Sequence, residues 1–197
     1  MSIDHAPAAQ RLAGLIATVS DDQLDAPTPC PHYTVGDLVD HIGGFAMAFD
    51  SAARKEPLPE SDAGPSGDAN QLEDGWRERI GRDLSTLAAA WHDPQAWQGM
   101  TRVGGIDLPG ESAGMFALDE LVVHGWDLAV ATGRPYDVDQ PSLEANYALL
   151  SGLAQPGQEQ AREGLFAPPI ELPDSAPLLD RVIGLTGRDP RWSPLSG

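Results

Sequence analysis

The sequence predicts a mainly α-helical fold, a four-helix bundle followed by small C-terminal elements. Three observations carry that prediction. Four segments repeat apolar residues at helical spacing, and no β-α-β alternation runs through the chain. The composition, 41% hydrophobic with a mean hydropathy of -0.26, is that of a soluble globular chain. The 197 residues suit one domain over 1–197, with a bundle core over about 6–152 and a C-terminal extension over about 153–197.

Residues 6–19, APAAQRLAGLIATV, have the spacing of a first helix. Prolines 27, 29 and 31 then stiffen the approach to a second helix, Val35 to Arg54. Thr34 is its expected N-cap, with Asp37 completing a capping box. Leu38, Ile42, Phe45 and Phe49 form its apolar stripe, and Gly43 and Gly44 allow a close helix contact. Residues 55–67 read as a surface linker rich in Pro, Gly and Ser. A third helix is expected from Ala69 to Ala90. The glycine clusters in AWQGMTRVGGIDLPGES suit a small hairpin or an extended crossover. The fourth helix, Ser112 to Ala131, ends at TGRP, with Gly133 as C-cap and Pro135 as stop. PSLEANYALLSGL is a further helix with Pro in its first turn. FAPPIELP is extended, a short helix runs from Ser175 to Gly187, and RDPRWSPLSG is a tail.

The formal net charge is -18 and the pI about 4.3. Phosphate binding needs clustered Lys and Arg, so nucleic acid is not an expected partner, and anionic membrane surfaces are disfavoured for the same reason. No apolar run reaches the 18 or so residues a membrane span requires. The N-terminus lacks the pattern of a signal peptide, so the expected location is cytoplasmic. The one cysteine, Cys30, excludes an internal disulfide; it reads as a structural thiol, a nucleophile or a ligand.

One stretch of the fourth helix, DELVVHGWDLA, carries chemistry. Glu120 and His124 lie one turn apart on one face, among Met115, Leu118, Val122 and Leu128. A carboxylate facing a bundle core is costly unless something pairs with it. His41 sits inside the apolar stripe of the second helix, one turn or less from Leu38 and Phe45. The spacing is compatible with a surface salt link, a helix contact, or a metal site of His41, Glu120 and His124. Two imidazoles and a carboxylate suit Zn²⁺ or another divalent transition metal, with a further position left for water or substrate. Asp127 has three readings: acceptor for a ligand imidazole, base for a substrate, or surface acid paired with Arg134. Trp126 reads as packing. His5 is assigned to a frayed terminus, His92 to a helix end, and His32 to a solvated loop.

TPCPHYTVGDLVDHIGG, DELVVHGWDLAVATGRP and FAPPIELPDSAPLLDRVIGLTGRDPRW, in that order, span most of the chain. With them the sequence resembles actinobacterial metal-binding proteins of the mycothiol-dependent maleylpyruvate isomerase N-terminal type, in the DinB-like four-helix superfamily. The resemblance is strongest to a subfamily ending in GRDP. It implies a metal held by a histidine of the second helix and a Glu-x-x-x-His pair of a later one, matching His41, Glu120 and His124. It also implies activation of a small thiol such as mycothiol, for isomerisation of, or transfer to, a small electrophile. Glu120 in place of a third histidine places the chain nearer the isomerase-like branch. The isomerase carries a further C-terminal domain, for which 197 residues leave little room. Arg102, Arg134 and Arg188 are the candidate cations for the carboxylate of such a thiol. The competing expectation is a metal-binding structural, sensing or interaction protein without turnover. A monomer or a homodimer is compatible with the apolar pattern.

Overall fold

The computed structural model describes residues 2–56 and 67–194. Four long helices form the bundle: α1 (Ala6–Ile16), α2 (Val35–Arg54), α3 (Trp76–Ala90) and α4 (Gly110–Ala131). α1 and α2 each pack against both α3 and α4. A two-stranded antiparallel hairpin, β1 (Met100–Val103) and β2 (Ile106–Pro109), joins α3 to α4. Its turn is Gly104–Gly105, both at positive φ, the conformation that two-residue hairpin turns demand. After α4 come α5 (Gln140–Leu153), α6 (Glu159–Arg162) and α7 (Leu178–Leu185), with α5 bridging α4 and α7. This is the mainly α fold expected from the helical periodicity.

α2 begins where the sequence places it. The Asp37 amide donates to Thr34 Oγ1 at 3.2 Å and the Thr34 amide donates to Asp37 Oδ2 at 2.9 Å, a closed capping box. Leu38, Ile42 and Phe45 are buried and seat α2 in the core. Gly43 lets α3 approach: a Cβ there would lie 3.3 Å from Ile80.

Several boundaries differ from expectation, for local reasons. α1 ends at Ile16, where the Thr18 hydroxyl donates to the Leu15 carbonyl at 2.8 Å and closes the last turn. α3 begins at Trp76, because Gly75 takes a left-handed conformation, φ 77°, and separates it from a 3₁₀ turn at Ala69–Gln71. α4 starts two residues early, at Gly110, whose amide donates to the Gly99 carbonyl across the hairpin at 2.8 Å. α7 starts at Leu178, after the extended Pro177, while Gly187 follows its end at φ 84°. α6 was not anticipated. Residues 57–66 of the expected linker and 195–197 of the expected tail lie outside the described residues.

The N-terminal histidine is also a correction. His5 is 1% exposed and packs against Trp91 and Trp97 at ring-centroid distances of 5.7 and 5.6 Å. Its Nε2 lies 2.9 Å from the Gly114 carbonyl oxygen, and this contact pins the start of the chain to α4. The adjacent Pro7 opens α1, so the terminus is helical and packed rather than frayed.

Candidate metal centre

The apolar stripes of α2 and α4 face each other and carry three polar groups into one place. His41 Nε2 lies 3.3 Å from Glu120 Oε2, and His124 Nε2 lies 3.1 Å from the same oxygen. One ligand atom from each of the three residues falls within 4.8 Å of the others. The imidazole planes of His41 and His124 stand at 81° to each other, 4.9 Å between centroids. Tetrahedral zinc, with bonds of about 2.0–2.2 Å, sets its ligand atoms about 3.3–3.5 Å apart. The two histidine–glutamate distances sit close to that range, so the residues present fit a divalent metal of this kind. Glu120 keeps 29% side-chain exposure, against 12% for His41 and 10% for His124, so the cluster opens on the carboxylate side.

Aromatic rings line it. Tyr33 lies 5.3 Å from the His41 ring, and Phe45 lies 5.9 Å from His41 and 6.3 Å from His124. Tyr33 is delivered by the proline-stiffened approach to α2, where its hydroxyl accepts from the Gly67 amide at 3.2 Å.

Behind the cluster runs a polar chain. His124 Nδ1 donates to Asp127 Oδ2 at 2.9 Å. Arg188 grips the same carboxylate with two hydrogen bonds, Nε to Oδ1 at 2.8 Å and Nη2 to Oδ2 at 2.9 Å. Asp127 is fully buried and Arg188 nearly so. Asp127 is therefore no surface acid, and its partner is not Arg134. A helix places residues three apart on the same side, which is why Asp127 reaches the His124 ring. Outer hydrogen bonds of this type fix the tautomer and orientation of ligating imidazoles.

The charges interlock. Burial alone would raise Glu120, but His124 and His41 hold its carboxyl well below the usual range. Burial alone would lower His124, but the Glu120 charge and the hydrogen bonds from Asp127 and Glu120 raise it to about 9. Asp127 is likewise depressed against its burial, by Arg188 first and then His124. Next to Glu120, Asp119 is buried and pushed up to about 7 by burial and by the Glu120 charge. It went unremarked in the sequence. The signal for it was a second acid in the apolar run LDELVV, on a helix with no polar face.

The three candidate arginines part company. Arg188 joins the cluster. Arg102 is on β1, whose Thr101 hydroxyl donates to the Ala52 carbonyl, and Ala52 is about 16 Å along α2 from His41 at 1.5 Å per residue. Arg134 is exposed beyond the C-terminus of α4. Cys30 is half-buried and outside the ligand trio; burial pushes its thiol up, partly opposed by Arg188. His32 is exposed, and exposed His92 pairs with Asp4 at 3.3 Å. Trp126 is buried, as packing requires.

Residues 5–129 match the mycothiol maleylpyruvate isomerase N-terminal domain family. Two uncharacterised proteins of Mycobacterium tuberculosis, from two strains, are each 29% identical to the chain over 190 residues, covering 95% of it and 97% of their own length. The fold is similar to a crystal structure of a mycothiol-dependent maleylpyruvate isomerase mutant, with a TM-score of 0.55 and 14% identity. That likeness covers 74% of this chain and 66% of the isomerase chain. Among the described residues, no helix is long and apolar enough to cross a membrane.

Proposed function

The chain belongs to the mycothiol maleylpyruvate isomerase N-terminal domain family, and from that premise we propose a metal-dependent enzyme acting on a small thiol. His41, Glu120 and His124 hold one divalent transition metal, zinc being the first candidate. The observation that carries the reading is the convergence of both imidazoles on one Glu120 oxygen, at 3.3 and 3.1 Å, within a cluster that opens on the carboxylate side. A divalent metal here supplies Lewis acidity, which lowers the pKa of a thiol from its ordinary value near 8.5. The thiol is of the mycothiol class, and its thiolate adds to a small electrophile, for group transfer or double-bond isomerisation. The proposed setting is the cytoplasm.

The protein's own groups have separate tasks. Asp127 is a positioning residue rather than a proton shuttle, because both of its oxygens are committed to His124 and Arg188. Tyr33 and Phe45 exclude water from the imidazole faces. Arg188 supplies positive charge from the C-terminal segment, at the position where an anionic group of the thiol would need it.

Elemental analysis of untagged protein tests the metal: about one transition metal per chain is expected, absent from Glu120→Ala. The reaction is tested with a thiol and a panel of electrophiles, and His124→Ala should lose metal and turnover together. Full turnover in metal-free protein overturns the mechanism. A metal-holding structural or sensing role is the second reading, favoured by the near-enclosure of His41 and His124. One metal per chain with no thiol-dependent turnover would select it.

A further inference from the structure

The chain contains a single lysine, Lys55, among twelve Lys and Arg residues. It occupies an unusual place. Lys55 is the C-cap of α2 and takes a left-handed conformation, φ 61°, the one non-glycine residue with positive φ among the described residues. Glycine is the ordinary choice at such a position. The turn carries the side chain under the hairpin, where Nζ donates to the Ala96 carbonyl at 2.7 Å. Gly110 makes room for that contact: a Cβ there would come 2.9 Å from Nζ and 2.4 Å from the Ala96 oxygen. An ammonium has three donors, and Ala96 accepts from one.

Beside this ammonium lies an open-sided cavity of about 270 Å³, lined by Ser51, Lys55, Met100, Thr101, Arg102 and Asp107. The hydroxyls of Ser51 and Thr101 are spent on the Glu56 and Ala52 carbonyls. Arg102 pairs with Asp107 at 3.0 Å. The lining therefore carries two cations against one carboxylate, on a chain whose net charge is -18. Met100, 60% exposed, contributes an apolar surface. Desolvation pushes the Lys55 ammonium below the usual lysine range, as expected of a charge lacking a full partner.

We propose that the cavity between the end of α2 and the hairpin is a binding site for a small organic carboxylate with a short apolar tail. The carboxylate meets Lys55 Nζ and the edge of the Arg102 guanidinium, and the tail lies on Met100. The volume selects this class, because clefts for drug-sized ligands run from about 300 to 1,000 Å³. A short-chain acid fits below that range. The long-range field of an acidic chain works against any anion, but at 0.15 M salt charges beyond about 8 Å are screened, so the local cations decide. The site is separate from the metal cluster and stands whether or not the metal reading holds.

A single lysine makes the test direct. Protein labelled with ¹³C-lysine gives one Lys55 Cε–Hε signal. Titration with hexanoate at 0.15 M salt should move that signal to saturation, and 1-hexanol at the same concentrations should not. Arg102→Gln, on an exposed hairpin position, should keep the signal and weaken hexanoate about tenfold, the effect of losing one charge-assisted contact. A shift that grows without saturation, an equal response to hexanol, or unchanged affinity in Arg102→Gln would each overturn the site.

Discussion

Arg188 holds Asp127 through two parallel hydrogen bonds, 2.8 and 2.9 Å, across 61 residues of sequence. Asp127 in turn holds His124. The segment after α7 lies beyond the matched family region, 5–129, yet it braces one of the candidate metal ligands. Removing one partner of a buried pair leaves the other charge uncompensated, at a cost of about 3–5 kcal/mol. Arg188→Met should destabilise the fold by that order in urea denaturation. Zinc affinity should fall about 10–100-fold, as for other outer hydrogen bonds to ligating histidines. Arg188→Lys should recover only part of both losses, since an ammonium cannot make the paired bond. Retention of wild-type stability and zinc affinity in Arg188→Met would show that the brace does not act.

The box at the start of α2 gives a second prediction. Thr34→Ala opens it, and caps of this kind are worth about 0.5–2 kcal/mol. The loss should appear as a lowered denaturation midpoint without a change in metal content, because His41 lies two turns further on. Equal stability of the variant would show that Asp37 alone suffices as the cap.

The Thr34–Asp37 box and the Glu120–His124 pair were legible because both are local: their meaning follows from three or four residues of one helix. The trio was half legible. His41 could be placed on a stripe, but only the packing of α2 on α4 brings it to Glu120. Arg188 and Arg134 were indistinguishable by composition, since nothing in a window around Asp127 encodes a partner 61 residues away. His5 was misread because proximity to a terminus says nothing about burial; two tryptophans from the far end of α3 and its following turn provide its pocket. The early start of α3 failed at Gly75, where a left-handed residue separates two helical turns that periodicity alone joins.

His5 carries a pH dependence. Burial lowers its folded pKa below the ordinary 6.5, and its carbonyl partners only partly oppose this. Between the folded and unfolded values the unfolded chain binds the extra proton, so stability rises with pH there. The contribution is complete above about pH 6.5 and is lost progressively as pH falls toward the folded value. Denaturation midpoints of wild type and His5→Gln should therefore differ most near neutral pH and converge on acidification. A constant difference from pH 8 to pH 5 would show that His5 does not titrate in this window.

His124 gives the opposite sign, and it tests the metal site itself. In the metal-free protein its folded value is raised to about 9, so at pH 7 it is an imidazolium donating to Glu120 and Asp127. A metal needs the neutral ring at Nε2, so uptake at pH 7 must expel about one proton. Glu120 is already ionised there and releases none. Apparent affinity should then fall about tenfold for each pH unit below 9, through this one competition. Zinc titration by calorimetry at pH 7, in two buffers of different ionisation enthalpy, reads the proton count directly. About one proton released in wild type is the expected result. Zinc binding with no proton release would mean that His124 is not a ligand, and that the cluster between α2 and α4 holds its metal elsewhere.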